Sequence, residues 1–384
     1  MAEQHPKRIL IVGPSWVGDM VMAQTLFTKL KEIDPLAVID VLAPDWSRPL
    51  LERMPEVNQA ISMPIGHGQL LLAARKKIGQ QLKSGNYDVA YVLPNSFKSA
   101  LIPWFAKIPK RIGWRGELRF LVLNDIRVLD KEQYPLMIER FMALALPNDQ
   151  LLTQPYPRPK LRVSPETVNA AKEKFGLMAA TSILALCPGA EFGPAKRWPE
   201  NYYAEIANAW LAKGGQVCLF GSKNDFAVCE DINKATNGQC TNLAGKTSLA
   251  EAIDLLSEAE AVVSNDSGLM HIAAALDRPL VAIYGSSDPR FTPPLSDKVQ
   301  IVRLGLSCSP CFKRECPLTH LNCLKQLPPE RVQTALEEVL YSKQSDLRLG
   351  AVDVEATPGD CPSSGLHGGR PLQQSTATTQ KIEV

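Results

Sequence analysis

The chain has 384 residues, 45% of them hydrophobic and 21% charged, and a formal net charge of +2. This length exceeds a usual single domain and can build two cores, and the balanced charge gives no reason to expect a nucleic-acid partner while leaving room for a local basic patch. No run approaches the roughly 18 apolar residues that cross a bilayer, and "MAEQHPKR" leads directly into a strand-like run rather than a signal peptide, so the reading is cytosolic, or at most peripheral to a membrane.

In chain order, "RILIVG" reads as a strand, "MVMAQTLFTKLKEI" as a helix and "VIDVLAP" as the next strand. "SRPLLERM" follows as a helix, "AISMP" as a strand, "LLLAARKKIGQQLKS" as a basic helix and "YDVAYVLP" as a strand. Strands separated by helical periods predict right-handed βαβ units and a parallel sheet covered on both faces. "QPYPRPKLRVSP", residues 154–165, holds four prolines in twelve residues and predicts a linker. The pattern then restarts: "SILALCPG" (strand), "PENYYAEIANAWLAKG" (helix), "QVCLFGS" (strand), "LAEAIDLLSEA" (helix), "AVVSNDSG" (strand into loop), "LMHIAAALD" (helix) and "PLVAIYG" (strand), with "PERVQTALEEVLYSK" as a last helix. The fold class is therefore α/β, two doubly wound Rossmann-like domains over 1–160 and 161–345. Residues 346–384 have little periodic apolar content and read as a disordered tail.

Three loops carry chemistry. The first is "GPSWVGD", at the carboxyl end of the first strand, where open α/β sheets bind ligands. Gly13 and Gly18 have the spacing of a P-loop, but Asp19 and Met20 replace its Lys and Ser/Thr, and Ser15 breaks a dinucleotide fingerprint. Asp19 is then either a helix cap or a general base facing an interdomain cleft. The second, "CPGAEFGPAKRWP", places Gly189, Lys196 and Arg197 before a helix, as two solvated charges or as a diphosphate site. In the third, Asn265-Asp266-Ser267-Gly268 opens an apolar helix bearing Leu269 and His271. Its stacked amides and the Ser267 hydroxyl make an anion nest, unless Asp266 or Ser267 merely caps that helix while His271 packs inside.

Two further clusters stand out. Arg75, Lys76, Lys77, Lys107, Lys110, Arg111, Arg115 and Arg119 are interleaved with Trp104, Phe105, Trp114 and Phe120. They read as a solvated basic face or as a site for anionic groups such as phosphate, carboxylate or lipid headgroups. Cys308, Cys311, Cys316 and Cys323 fall within sixteen residues, either as metal ligands or redox pairs or as free thiols in a structured loop.

On "GPSWVGDMVMAQ", "DVLAPDWSRPLLERMPEV", "PGAEFGPAKRWP", "SNDSGLMHIAAAL" and "CSPCFKRECPLTHLNCL" the chain resembles the ADP-heptose:lipopolysaccharide heptosyltransferases of glycosyltransferase family nine, over about residues 7–342. The resemblance implies a GT-B architecture with the donor held mainly by the second domain. It implies inverting transfer of L-glycero-D-manno-heptose from ADP-heptose to the first heptose of Kdo–lipid A, in the cytoplasm, with no cofactor and no catalytic metal. By motif position it makes Asp19 the base, Lys196 a diphosphate contact, and Asp266 to Leu269 with His271 the donor loop; Asp225 in "FGSKNDF" lies near an acidic ribose contact. The acceptor it implies is anionic and membrane-anchored, which points to Lys110, Arg111 and Arg115 and to a peripheral contact with the cytoplasmic face of the inner membrane. Another nucleotide-sugar glycosyltransferase, an epimerase, or a non-catalytic sugar-nucleotide- or lipopolysaccharide-binding protein are the alternatives, and Asp19→Ala separates enzyme from binder.

Overall fold

The computed structural model describes residues 5–66, 68–177 and 182–341. The tail expected over 346–384 lies outside the described residues. The first sheet is built from β1 (Arg8–Val12), β2 (Val38–Ala43), β3 (Val57–Ser62), β4 (Val89–Val92), β5 (Lys110–Trp114) and β6 (Asp125–Arg127). Its helices are α1 (Val17–Ile33), α2 (Arg48–Leu51), α3 (Leu72–Leu82), α4 (Phe97–Phe105) and α5 (Met137–Met142). The second sheet comprises β7 (Ile183–Cys187), β8 (Gln216–Leu219), β9 (Thr241–Asn242), β10 (Ala261–Asn265), β11 (Leu280–Ile283) and β12 (Val299–Val302). With it go α6 (Pro165–Lys174), α7 (Glu200–Leu211), α8 (Phe226–Ala235), α9 (Leu249–Leu256), α10 (Gly268–Ala275), α11 (Asn322–Lys325) and α12 (Pro329–Tyr341).

Every strand pairing is parallel. The strand orders are β3-β2-β1-β4-β5-β6 and β12-β11-β10-β7-β8-β9. Reversed, the second repeats the first: the opening strand of each half lies inside, and the chain changes direction beside it. The apolar runs explain the centre. Ile9 to Val12, Leu184 to Cys187 and Ala261 to Val263 are almost wholly buried, as strands covered on both faces must be. The expected α/β architecture is present in both halves. Strands toward the outside of the sheets were not legible in the same way: β5 opens on Lys110 and Arg111, and β9 has two residues, so neither offers an apolar run.

The two halves are tied together behind the sheets. Gln24 of α1 donates to the carbonyl of Lys160 and accepts from its amide, both at 2.9 Å, which fixes the proline-rich segment against the first half. The Leu161 amide then bonds the carbonyl of Ala275, at the end of α10. Arg53, beyond α2, meets Asp254 of α9 at 2.6 Å, with both side chains largely buried. The carboxyl ends of β1 and β10 are thereby brought face to face.

Candidate active site

In an open parallel sheet, ligands gather at the carboxyl edge where the strand order reverses. Here those points lie between β1 and β4, and between β7 and β10. The loop after β1 carries Asp19, the loop after β7 carries Gly189 and Lys196, and the loop after β10 carries Asp266 and Ser267.

Helix α1 starts at Val17, three residues earlier than the apolar pattern alone predicts, because extended backbone at Trp16 (φ −107°, ψ 142°) delivers the chain into a first turn closed by the Met20 amide on the Trp16 carbonyl. Asp19 consequently sits inside that first turn. The cap position belongs to Trp16, which makes no side-chain capping bond, so the carboxylate is not the helix cap. Its side chain keeps a small opening to solvent, yet protein surrounds it, and desolvation raises its pKa from 3.8 to about 7. Lys196 from the other half pulls the value down and Asp266 pushes it up, both more weakly than burial. The loop thus presents a carboxylate poised near neutrality and electrostatically coupled to a cation across the cleft.

Lys196 Nζ lies 2.5 Å from Asp266 Oδ2 and 5.0 Å from the centre of the Phe192 ring. Asp266 is buried and Lys196 nearly so, which keeps the ammonium aimed at the mouth of α10. Ser267 caps α10, its Oγ accepting weakly from the Met270 amide at 3.5 Å. The cap reading of Ser267 therefore holds beside the anion-nest reading, since capping by one side chain leaves the other first-turn amides available. His271 is buried, and desolvation lowers its pKa to about 4, so the ring is neutral at physiological pH.

Two glycines bring the halves this close. A Cβ on Gly18 would lie 2.7 Å from His271 Cδ2, and one on Gly268 would lie 2.7 Å from Val17 Cβ. The amino ends of α1 and α10 therefore meet glycine to side chain in both directions, with Asp19 one residue past the contact. Leu269, next to Gly268, is half-buried and packs against the core. Gly189 has a different use: a Cβ there would collide with the Asp225 carboxylate. Asp225 is itself committed, accepting from Arg197 at 3.1 Å and from Ser222 N and Oγ at 2.9 and 2.7 Å. As placed, it anchors the loop from inside.

The roles of two residues were not read from the sequence. Asn265 is fully buried and staples the site's loops, its Oδ1 accepting from the Trp198 amide (3.1 Å) and its Nδ2 donating to the Pro188 carbonyl (2.7 Å). An asparagine ending an apolar strand was the available signal. Arg314, from the cysteine-rich segment, donates Nε to the Phe192 carbonyl (2.7 Å), and its own carbonyl accepts from the Ala195 amide (3.0 Å). That segment therefore braces the lysine-bearing loop. Its cysteines 308, 311, 316 and 323 are half-buried and form no disulfide with one another. Among the described residues no set of three or more His, Cys, Asp or Glu side chains is arranged to hold a metal ion.

The basic cluster divides. Arg75 is buried and bonds the carbonyls of Gln69, Leu70 and Lys98, while Arg119 is buried and bonds those of Trp114 and Pro94. Arg111 spends Nε and Nη1 on Val122 and Ile108 carbonyls. Lys110 stands 3.4 Å from Asp125, and Arg115 is exposed. The arginine-held segment displays Leu118, Phe120 and Leu121, exposed by 82%, 59% and 90%. No helix among the described residues is long and apolar enough to cross a membrane.

Comparison with known proteins agrees with this geometry. The model of glycosyltransferase family 9 (heptosyltransferase) matches residues 75–322. The chain is 50% identical over 347 residues to lipopolysaccharide heptosyltransferase 2 of Escherichia coli K12, covering 88% of this chain and all of that protein. It is 51% identical to lipooligosaccharide heptosyltransferase 2 of Haemophilus influenzae, over 77% of this chain and 88% of the relative. Among solved structures, that of E. coli ADP-heptose lps heptosyltransferase II superposes with a TM-score of 0.78 at 48% identity, covering 87% of this chain and 99% of the other. With two facing sheets of like topology and the motif loops gathered at their reversal points, the chain belongs to glycosyltransferase family 9, the heptosyltransferases.

Proposed function

We propose that this glycosyltransferase moves L-glycero-D-manno-heptose from ADP-heptose to the first heptose of Kdo–lipid A, with inversion at the anomeric carbon. The relatives it matches at about half identity are heptosyltransferases of the second kind, and the solved E. coli relative is an ADP-heptose lps heptosyltransferase II. The observation that carries the mechanism is Asp19, lifted to about 7 and coupled across the cleft to Lys196 and Asp266.

Asp19 acts as general base. It removes the acceptor hydroxyl proton as that oxygen attacks the anomeric carbon and the bond to the diphosphate breaks on the opposite face. A base works best with a pKa near the working pH, where it is substantially ionised yet still basic. The leaving ADP gains negative charge, which the Lys196 ammonium and the first-turn amides of α10 stabilise in place of a divalent ion. Lys196 reaches the diphosphate by turning from Asp266, and the neutral His271 holds the α1 contact without adding charge. Gly189 and Asp225 set the shape of the loop, with Ser267, Gly268 and Leu269 lining the diphosphate end. The functional halves divide at the proline-rich segment, 1–160 taking acceptor and 161–345 taking donor.

On the acceptor side, Arg115, just past the carboxyl end of β5, meets phosphate or carboxylate groups, whereas Lys110 opens that strand at the opposite edge of the sheet. Leu118, Phe120 and Leu121 rest on the cytoplasmic surface of the membrane that holds the lipid. Incubation with ADP-heptose and mono-heptosylated Kdo–lipid A, reading ADP release and acceptor mass together, tests the reaction: one added heptose per ADP is expected, and ADP release without mass gain overturns it. Sedimentation with anionic vesicles tests the surface contact, with Leu118→Ser/Leu121→Ser expected to release the protein and unchanged binding refuting it.

A further inference from the structure

One cavity of the first half has no part in the reaction as described so far. It is a cleft of about 560 Å³ at the carboxyl ends of β1, β2 and β3, lined by Ser15, Trp16, Pro44, Trp46, Met63 and Ile65 among others. That size lies within the roughly 300–1,000 Å³ of ordinary small-ligand sites. Two features set its chemistry. Among the described residues its lining holds no charged side chain, which favours a neutral ligand over phosphate or carboxylate. And both indoles are left partly open to solvent, Trp16 by 37% and Trp46 by 40%, although an indole is among the largest apolar surfaces a protein can bury.

The cleft is continuous with the site. Trp16 is the cap residue of α1, its carbonyl closes the first turn, and Asp19 is in that same turn. The cleft therefore adjoins the turn that carries the carboxylate. Of the cationic side chains assigned to the acceptor, Arg115 lies just past the carboxyl end of β5, on the opposite side of β1, whereas Lys110 opens β5 at the amino edge of the sheet.

We infer that this cleft is a neutral saccharide subsite in which Trp16 and Trp46 stack on the C–H face of the sugar that accepts the heptose. A pyranose has an apolar face of C–H groups with partial positive character, which the negative face of an indole attracts, while its hydroxyls stay at the wet rim. An anionic, lipid-linked acceptor then lies across the edge of the sheet. Its charged end is over β4 and β5, its terminal ring is on the tryptophans, and the reacting hydroxyl is between them at Asp19. This assignment rests on the transfer reaction proposed above, and it makes Trp16 and Trp46 positioning residues.

The test uses the full chain with Trp46→Phe, Trp46→Leu and Trp16→Phe, Trp16→Leu, each checked for an unchanged melting temperature. With mono-heptosylated Kdo–lipid A, the Leu variants should raise acceptor KM about tenfold, the size of one aromatic stacking contact, while the Phe variants stay near wild type. KM for ADP-heptose should not move. Quenching of indole fluorescence by acceptor, in a protein with 6 tryptophans, should shrink in Trp46→Phe. Leu variants with wild-type acceptor KM would refute the subsite, as would a rise in donor KM instead, because the cleft would then hold the donor. If wild-type protein transfers no heptose, the reaction itself is misassigned; transfer with insensitive tryptophans sinks only the subsite.

Discussion

The two sheets share one topology and have opposite chemistry at the same place. In the second half, the loop after the inner strand β7 holds Lys196, and the loop after β10 opens a helix with bare amides. That edge is built for an anion. In the first half, the loop after β1 ends in a carboxylate. The loop after β4 is filled from within, since the Pro94 carbonyl and Asn95 Oδ1 both accept from buried Arg119. Asn95, three residues past β4, receives a guanidinium, whereas Asn265, the last residue of β10, staples the lysine loop. The parallel sheet fixes where ligands approach, and the few side chains at its edge determine which part of the reaction each half performs. On the function proposed above, one half provides charge for the leaving group and the other a base for the nucleophile.

This contrast breaks most completely at Asp19. Asp19→Ala should lower kcat by about 10²–10⁴, the usual worth of a positioned base, while ADP affinity stays within twofold in a calorimetric titration. Lost ADP binding would mean that the carboxylate serves the donor. Lys196→Ala is the counterpart and should lower kcat by about 10²–10³, as removal of one transition-state donor does, and it also strands Asp266 in a buried position. Steady-state rates over a donor series separate that loss from ordinary weak binding.

Gly18→Ala and Gly268→Ala test the joint between the halves. Each added methyl meets a side chain 2.7 Å away, which must push the helix ends apart. A displacement near 1 Å costs about 10²-fold in rate, and transfer assays with ADP-binding controls should show loss of turnover with donor binding kept.

The pH profile sharpens the assignment further. Only ionised Asp19 takes a proton, so kcat/KM should fall about tenfold per unit below pH 7 and level off above it. His271, lowered to about 4, should add no inflection in that range. The same burial has a stability consequence of opposite sign. The folded pKa is raised, so the favourable contribution is complete below about 4 and is lost as pH rises to about 7. Asp19→Asn should therefore melt higher than the parent at pH 8, by about 2–4 °C for each kcal/mol relieved, with the difference vanishing near pH 4. No gain at pH 8 would argue that Asp19 is well solvated.

Much of the site was legible because it is local. A turn after an apolar strand, a lysine ahead of a helix and a polar loop ahead of another helix are each short stretches, and each element lies close to where its pattern puts it. What failed to show was non-local. "RIGWRGELR" reads as a basic face, but Arg111 and Arg119 turn inward onto carbonyls, a choice that depends on which loops lie above them. Gly189 reads as part of a loop that can meet a diphosphate, and only the structure shows that its Cα packs against the Asp225 carboxylate.

The sequence by itself determined two parallel sheets and the loops at their edges, because hydrophobic period and turn chemistry act over a few residues. Tertiary structure alone decided that Asp19 is a base rather than a cap in this reading. A carboxylate at the start of a helix acquires a pKa near 7 only when a second domain closes over it, and that closure depends on two glycines from distant parts of the chain.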